Sequence, residues 1–260
     1  MNVYLITFLS LIAFISLWFL LIPLTKNVGL VDLAWGLLYV VVVWVQVIIM
    51  TPTHVISYIL TAAVTLWGMR LFVYLAIRNW NKKEDFRYTQ MKKKWKKFHY
   101  LNIYAKVFIF QALLAYIVSL PIQVSFRMKY TWNTWTIILL SLGVILFIIG
   151  FIFEVLADQQ LKTFKSDPKN KGKILTTGVW SLSRHPNHFG DFLVWWGFFF
   201  ISFSALEVQY LWAIIGPLLM SYLLRYVSGV PLLEKRYQND EAYQAYAKIT
   251  PIFVPFKRKK

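Results

Sequence analysis

Ionisable side chains stand inside or at the edge of the apolar stretches of this sequence, where charge is costly. They are Asp32, Arg70, Glu154, Asp158, Asp191 and Arg225. Burying a charge at membrane depth costs on the order of 2.5–3.5 kcal/mol even on lenient insertion scales, so each of these residues is a functional candidate. A paired charge, or a side chain that extends to the interface, is the structural alternative, above all for the two arginines.

The spacing of these side chains predicts three polar stripes on helices. One contains Glu154, Asp158, Lys162 and Lys165, a second contains Arg70, Tyr74 and Arg78, and a third contains Asn187 and Asp191, with Trp195 one turn deeper. Members of a stripe are three or four residues apart, which places them on one helix face. All three stripes fall at the ends of their predicted helices that face one side of the membrane, the predicted cytoplasmic side, which suggests a shared polar cavity.

The residue types in these stripes indicate a nucleotide-containing cofactor rather than a simple anion. The cations suit phosphate or carboxylate oxygens; they are Arg70, Arg78, Lys162, Lys165 and Arg184. Asp158 and Asp191 suit ribose hydroxyls or an amide group, and Asn187 suits either. No two glycines stand as G-x-G, so a nucleotide would be held between helices and not by a Rossmann turn.

Metal binding and nucleophilic catalysis are weaker interpretations of the same segment. His185, His188 and Asp191 could supply three metal ligands, but Pro186 interrupts the pair and no glutamate-rich partner motif follows. We therefore expect no metal. Ser183 stands in no elbow-like turn, which disfavours a Ser-His-Asp nucleophile.

The elements that position these residues are predicted to be transmembrane helices. The chain has 260 residues, 58% of them hydrophobic, and apolar stretches near the length that crosses a bilayer. Seven spans are predicted, at about 3–24, 29–50, 55–77, 104–125, 134–157, 188–205 and 208–228. The fold class is thus an all-α polytopic membrane protein with a single domain over 1–260 and a catalytic core of about 60–256. Cysteine is absent, so no disulfide framework is expected.

The position of the basic residues predicts an outside N-terminus and an inside C-terminus. The net charge is +17, and of 28 Lys and Arg residues only Arg127 and Lys129 fall in loops on the outer side. Residues 92–100, KKKWKKFHY, interleave bases and aromatics beside a predicted span. This pattern is typical of a strip that faces anionic lipid headgroups, so we expect membrane lipids and no nucleic acid as partners.

Several segments resemble membrane steroid 5-alpha-reductases and sterol reductases. GVWSLSRHPNHFGDFLVWWG (178–197) is similar to the signature in which an N-x-[FYL]-G-[DE] segment opens a span, and EVLADQQLKTFK (154–165) is similar to the cofactor stretch. The end AYQAYAKITPIFVPF resembles the tyrosine-rich tail. VDLAWG (31–36) and the segment 67–88 look like uncharacterised bacterial members of that superfamily.

The resemblance implies seven helices around NADPH near the cytosolic face, with a hydride transferred to the β carbon of an enone. Residues at matching positions, which the resemblance implies line the NADPH site, are Asp158, Lys165, Asn187, Asp191, Arg184 and Tyr246. It also implies a lipophilic substrate from the bilayer and an active site open to the cytoplasmic side of a bacterial membrane. No obligate protein partner is evident.

The family also uses an early acidic residue and a tyrosine on the third span to polarise the substrate carbonyl. Asp32 lies about where the acid should be, and an apolar environment favours its protonated, proton-donating form. Trp67 stands at the position of the tyrosine. Tyr74, one turn beyond Arg70, is the substitute that we predict, and Tyr39 is an alternative.

Two other functions are compatible with the sequence. RHPNHFGD also resembles a segment of isoprenylcysteine and phospholipid methyltransferases, which hold S-adenosylmethionine between membrane helices. Their acidic pair is poorly matched here by Glu234 and, separately, Asp240 with Glu241. A non-catalytic lipid-binding protein is the third possibility, although a passive binder has no reason to keep polar stripes.

Overall fold

A computed structural model of the chain describes residues 2–79, 84–95 and 97–256. Regular structure in these ranges is entirely helical, with no strand, which confirms the all-α class. The chain divides into two compact units. The first comprises Met1–Trp132 and Ala205–Ile215, and the second comprises Asn133–Ser204 and Gly216–Lys260. The expected single domain over 1–260 stays a prediction.

The first unit is built around a close contact between two long helices. Its helices are α1 (Val3–Phe19), α2 (Ile22–Thr25), α3 (Leu30–Met50), α4 (Val55–Asn79), α5 (Phe86–Lys94), α6 (His99–Ile103), α7 (Phe110–Val118) and α8 (Leu120–Ser125), with π-helical Tyr104–Ile109 and 3-10 Val208–Ile214. A Cβ atom added at Gly36 on α3 would lie 2.4 Å from the carbonyl oxygen of Gly68 on α4. Small residues thus let the two backbones touch, as in other membrane helix pairs.

The second unit is dominated by the pair α9 and α10. Its helices are α9 (Thr134–Ser166), α10 (Pro186–Phe203), α11 (Ile215–Tyr222), α12 (Val230–Arg236) and α13 (Glu241–Ile249), with a π-helical turn at Leu223–Val227. The first residue of α11, Ile215, still belongs to the first unit. A Cβ atom at Gly150 would lie 2.5 Å from the Gly190 carbonyl oxygen, and one at Gly197 would lie 2.8 Å from the Phe147 nitrogen. Glycines therefore set the distance between α9 and α10 along most of their length.

Six helical segments among the described residues are long and apolar enough to cross a membrane. They are Val3–Thr25, Leu30–Met50, Val55–Asn79, His99–Val118, Thr134–Ser166 and Val208–Lys235. These segments support the predicted multi-pass membrane class. The predicted span 188–205 falls on α10, which is not among the six because Asn187, His188 and Asp191 make its first turns polar. The count of seven spans and the orientation stay predictions.

Two helices differ in length from the predicted spans. The span predicted at 134–157 is part of a helix that continues to Ser166, so the whole stripe from Glu154 to Lys165 lies on one continuous helix, as the spacing predicted. The span predicted at 104–125 is interrupted after Val118, and a new helix begins at Leu120. Pro121 lacks the N–H group that would have continued the helical hydrogen bonding.

Candidate functional site

The polar stripes predicted on α9 and α10 lie side by side in the second unit. A Cβ atom added at Gly190 would lie 2.6 Å from the Gly150 carbonyl oxygen and 2.7 Å from the Glu154 nitrogen. This contact places the first turns of α10, with Asn187 and Asp191, beside the polar stretch of α9. The two stripes therefore share one neighbourhood, as a common polar cavity would require.

The α9 stripe is divided between buried acids and exposed bases. Glu154 and Asp158 are each only 4% exposed, whereas Lys162 and Lys165, further toward the C-terminus, are exposed. Carboxylates accept hydrogen bonds from hydroxyl and amide groups, and ammonium groups bind phosphate oxygens. The helix thus presents both kinds of group that a nucleotide needs.

Glu234 on α12 connects the loop before α10 with the C-terminal helix. Its carboxylate accepts hydrogen bonds from Arg184 Nη1 at 2.8 Å and from Tyr243 Oη at 2.7 Å, and it lies 2.8 Å from His185 Nε2. Arg184, a predicted cofactor ligand, is therefore ion-paired within the protein. Burial, reinforced by the hydrogen bond to the Glu234 carboxylate, raises the pKa of Tyr243 above its ordinary value.

Sequence reasoning missed Glu234 as a site residue, because it was considered only as half of a poorly matched acidic pair. The three contacts come from residues 49, 50 and 9 positions away along the chain, so no local spacing connects them. The one available signal was the presence of an acidic residue near the end of an apolar segment.

Tyr246 on α13 holds the loop that precedes α10. Its hydroxyl donates to the carbonyl oxygen of Trp180 and lies 3.2 Å from that of Ser183. The Trp180 indole in turn donates to the Ala157 carbonyl of α9 at 3.1 Å, and the Ser183 hydroxyl donates to the Phe253 carbonyl at 2.7 Å. The loop is thereby fixed against α9, α13 and the residues that follow α13.

Three buried polar atoms at the start of α10 test whether a nucleotide suits this site. They are Arg184 Nε, His185 Nδ1 and Asn187 Oδ1, and none of them forms a hydrogen bond with a described residue. Burying such atoms unsatisfied costs about 1–3 kcal/mol each. A ligand that carries amide, hydroxyl and phosphate groups would satisfy donors and acceptors of this kind, so the residues present fit a nucleotide cofactor.

The remaining predicted cofactor ligands lie on α4, in the first unit. The guanidinium groups of Arg70 and Arg78 lie 5.1 and 5.4 Å from the centroid of the Tyr74 ring. The predicted stripe thus forms one continuous surface, with Tyr74 between two cations. Deeper in the same unit, the fully buried rings of Tyr39 and Trp67 lie 5.7 Å apart.

Asp32 meets a tyrosine that sequence analysis did not select. The hydroxyl of Tyr88 on α5 donates to Asp32 Oδ1 on α3 at 2.6 Å, and Tyr88 is only 5% exposed. The two residues are 56 positions apart, so their proximity depends on how α5 folds back against the start of α3. Tyr88 is the last residue of the segment 67–88 that carried the family resemblance, and this was the one sequence feature that could have indicated it.

An ion pair holds α5 at the start of α3. Glu84 accepts a hydrogen bond from the Val28 backbone nitrogen at 2.7 Å and pairs with Lys92 at 2.6 Å. Lys92 also donates to the Lys26 carbonyl at 3.0 Å. These contacts join the chain before α3 to the helix that carries Tyr88, and so fix the Tyr88–Asp32 hydrogen bond.

The two histidines of the RHPNH segment lie close together at the start of α10. Their rings lie 5.9 Å apart, and the Nε2 of His185 faces Glu234. In the described part of the chain, no group of three histidine, cysteine or acidic side chains is arranged to hold a metal ion.

Two known proteins are similar to parts of this chain. It is 30% identical over 179 residues to an uncharacterized protein of Schizosaccharomyces pombe, covering 58% of this chain and 50% of that protein. It is 43% identical over 56 residues to a probable O-methyltransferase of Ustilaginoidea virens, covering 22% of this chain and 19% of that protein. The chain thus spans half of the first relative and about a fifth of the second. No solved structure matches it.

The family match covers most of the chain. Residues 18–250 match the family described as a protein of unknown function, DUF1295. This is a membrane family similar to steroid 5-alpha-reductases, which confirms the broader part of the resemblance and names no specific branch. The chain belongs to the DUF1295 family.

Proposed function

We propose that the protein is a membrane-embedded, NADPH-dependent reductase of a carbon–carbon double bond conjugated to a carbonyl in a lipid. The observation that carries this proposal is the Tyr88–Asp32 hydrogen bond of 2.6 Å. Reduction of an enone needs a proton donor for the carbonyl oxygen, and a buried phenol that is hydrogen-bonded to a carboxyl group supplies one. Methyl transfer makes no such demand.

The chemistry at this pair is proton donation. When bound, NADPH would supply the hydride for the β carbon. Negative charge then develops on the carbonyl oxygen, and a donor placed there lowers the barrier. With Asp32 protonated, its carboxyl can donate to the Tyr88 oxygen and leave the phenol proton for the carbonyl. Tyr88 is chosen over Tyr74 because its hydroxyl contacts Asp32.

The cofactor residues of the proposal lie mainly in the second unit. Asn187 and Asp191 would bind the amide or ribose groups, together with the buried Asp158, and the exposed bases Lys162 and Lys165 would bind phosphates. Support comes from the buried polar atoms at the start of α10. Arg184 contributes through its Nε, since its Nη1 is committed to Glu234.

The membrane topology that accompanies this function is also a proposal. We propose seven spans, with α10 as the sixth, an outside N-terminus and a bacterial cell membrane as the location. The support is the charge distribution, since only Arg127 and Lys129 fall on the predicted outer side. The cofactor would then enter from the cytoplasm and the lipid substrate from the bilayer.

Ligand-dependent stabilisation tests the cofactor. The purified protein in non-ionic detergent is heated with NADPH, with S-adenosylmethionine or alone, because a ligand that binds only the native state raises stability by about 2.7 kcal/mol at 100 times its Kd. We expect NADPH to raise the melting temperature. Asp191→Asn should reduce the rise, and Asp167→Asn, an exposed aspartate, should not. Stabilisation by S-adenosylmethionine alone would refute the reductase.

The catalytic pair is tested by turnover. NADPH oxidation is followed with lipid enones as substrates, and Tyr88→Phe should lower kcat by about 10²–10⁴-fold while leaving NADPH-dependent stabilisation intact. Tyr74→Phe is the matched control. Full turnover by Tyr88→Phe or Asp32→Asn would remove that residue from the mechanism.

A methyltransferase is the second candidate, because one observation favours it. The 43% identity over 56 residues is to a probable O-methyltransferase. In this alternative the polar start of α10 would bind S-adenosylmethionine, and Tyr88 and Asp32 would have a structural role. The stabilisation experiment separates the two candidates without a known lipid substrate.

A further inference from the structure

The second unit contains a cleft that neither the cofactor residues nor the proton donor uses. Its volume is about 670 Å³, and its walls come from α10, α11, the π-helical turn Leu223–Val227 and residues 251–254. Small-molecule sites typically have about 300–1,000 Å³ and mainly apolar walls. The side chains of Phe192, Leu218, Tyr222, Tyr226 and Phe253 give this cleft such walls.

The walls are held in place by hydrogen bonds from the loop before α10. The Ser183 hydroxyl donates to the Phe253 carbonyl at 2.7 Å, and the Arg184 nitrogen donates to the Pro251 carbonyl at 2.9 Å. The ring of Phe253 lies 5.8 Å from that of Phe192. The cleft is therefore formed by ordered backbone on one side and by a helix on the other.

Arg225 is the one cation among the residues that line this cleft. Its guanidinium lies 4.9 Å from the centroid of the Tyr226 ring, and no carboxylate among the described residues lies within ion-pair distance. It belongs to the apolar segment Val208–Lys235, where an uncompensated charge is expensive. The π-helical turn that carries it is a rare conformation, found frequently at functional sites.

We propose that this cleft binds a single-chain amphiphile whose anionic head pairs with Arg225. The hydrocarbon part would lie against the aromatic and aliphatic walls, and a carboxylate or phosphate oxygen would accept hydrogen bonds from the guanidinium. Both parts of the ligand follow from the cleft, since the walls are apolar and the one charge is positive. The proposal goes beyond the reductase, because it requires neither a cofactor nor a reducible bond.

Photocrosslinking tests the site directly. The probe is dodecanoic acid with a diazirine at the chain end, used on the purified full-length protein in non-ionic detergent, and labelled peptides are mapped by mass spectrometry. Unlabelled dodecanoate, dodecyl phosphate and methyl dodecanoate compete for the site. We expect labels within residues 218–226 and 251–254 and competition by either anion about tenfold or more stronger than by the ester, as a charge-assisted hydrogen bond implies.

Variants distinguish the contribution of the head group to binding from that of the apolar walls. Arg225→Gln should make the anions compete no better than the ester, whereas Leu218→Trp should weaken all three competitors by filling the cleft. Lys248→Gln removes one exposed positive charge elsewhere on the unit and should change nothing. Melting temperatures of the variants show that each one is folded.

Each outcome decides the proposal. The stronger of the two anions identifies the head as a carboxylate or a phosphate, and either result supports it. Equal competition by acid and ester in the native protein would refute the pairing with Arg225. Labels spread over the apolar surface, or labelling unchanged in Leu218→Trp, would show that the probe partitions non-specifically with the detergent and that the cleft is not a binding site for the amphiphile.

Discussion

Glu234→Ala should destabilise the second unit, because it leaves the Arg184 guanidinium without its counter-charge and the buried His185 ring without its hydrogen-bond partner. The side chain of Arg184 is 12% exposed and that of His185 is 2% exposed, and each lies 2.8 Å from the Glu234 carboxylate. Removing one partner of a buried pair costs about 3–5 kcal/mol. Glu234 itself is 24% exposed, so solvent screens part of the interaction and we expect about 2–3 kcal/mol.

Thermal unfolding measures this loss. Tryptophan fluorescence is followed in detergent at one heating rate, because irreversible unfolding makes the midpoint depend on the rate. A loss of 2–3 kcal/mol corresponds to a midpoint about 4–12 °C lower for a chain of this size. Glu234→Gln keeps the acceptor oxygen and should lie between Glu234→Ala and the native protein.

Glu241→Gln is the matched control, since it removes an exposed carboxylate from the first turn of α13. Its favourable interaction with the helix N-terminus contributes about 0.3–1 kcal/mol, so a small shift is expected. If Glu234→Ala and Glu241→Gln melted within a degree of one another, the contacts of Glu234 would contribute nothing that an exposed charge does not, and the reasoning would be wrong.

Two further predictions concern helix packing and alkaline stability. Gly190→Leu should prevent α9 and α10 from packing together, because the added Cβ would lie 2.6 Å from the Gly150 carbonyl oxygen. The yield of folded protein should therefore fall sharply. Gly172→Ala is the control, since no atom lies within 4 Å of its added Cβ, and it should cost only about 1–2 kcal/mol for the left-handed backbone. The pKa of Tyr243 is raised in the folded protein, so the protonated phenol contributes fully to the free energy of unfolding below about pH 10, and this contribution is lost as the pH rises above that value. Tyr243→Phe should therefore flatten the decline of the melting temperature at alkaline pH.

The helices and their polar stripes could be predicted because both follow from local sequence. A period of 3.6 residues places Glu154 and Lys165 on one face wherever a helix forms, and α9 spans both. Apolar stretches of about 20 residues likewise indicate spans without knowledge of the fold. The polar stripe at the start of α10 could be predicted for the same reason, because Asn187 and Asp191 lie one helical turn apart.

The pairs that complete the site could not be predicted, because they join residues far apart in the sequence. Asp32 was selected for its position in an apolar span, but its partner Tyr88 lies 56 residues later. Glu234 contacts His185 across 49 residues. Spacing carries no information about such contacts, which depend on how the loops return to the helices.

Arg184 and Arg225 show why the charge of an arginine has to be judged by its partners. Sequence reasoning left Arg225 two options, a paired charge or a functional one, whereas it assigned Arg184 to the cofactor site. Arg184 has Glu234 at 2.8 Å, so most of its charge is compensated within the protein. Among the described residues, Arg225 has the Tyr226 ring at 4.9 Å and no carboxylate partner; such a ring contact is worth about 0.5–1 kcal/mol at exposed sites. That is less than the roughly 2.5–3.5 kcal/mol that the charge costs at membrane depth, and an anionic ligand would offset the difference.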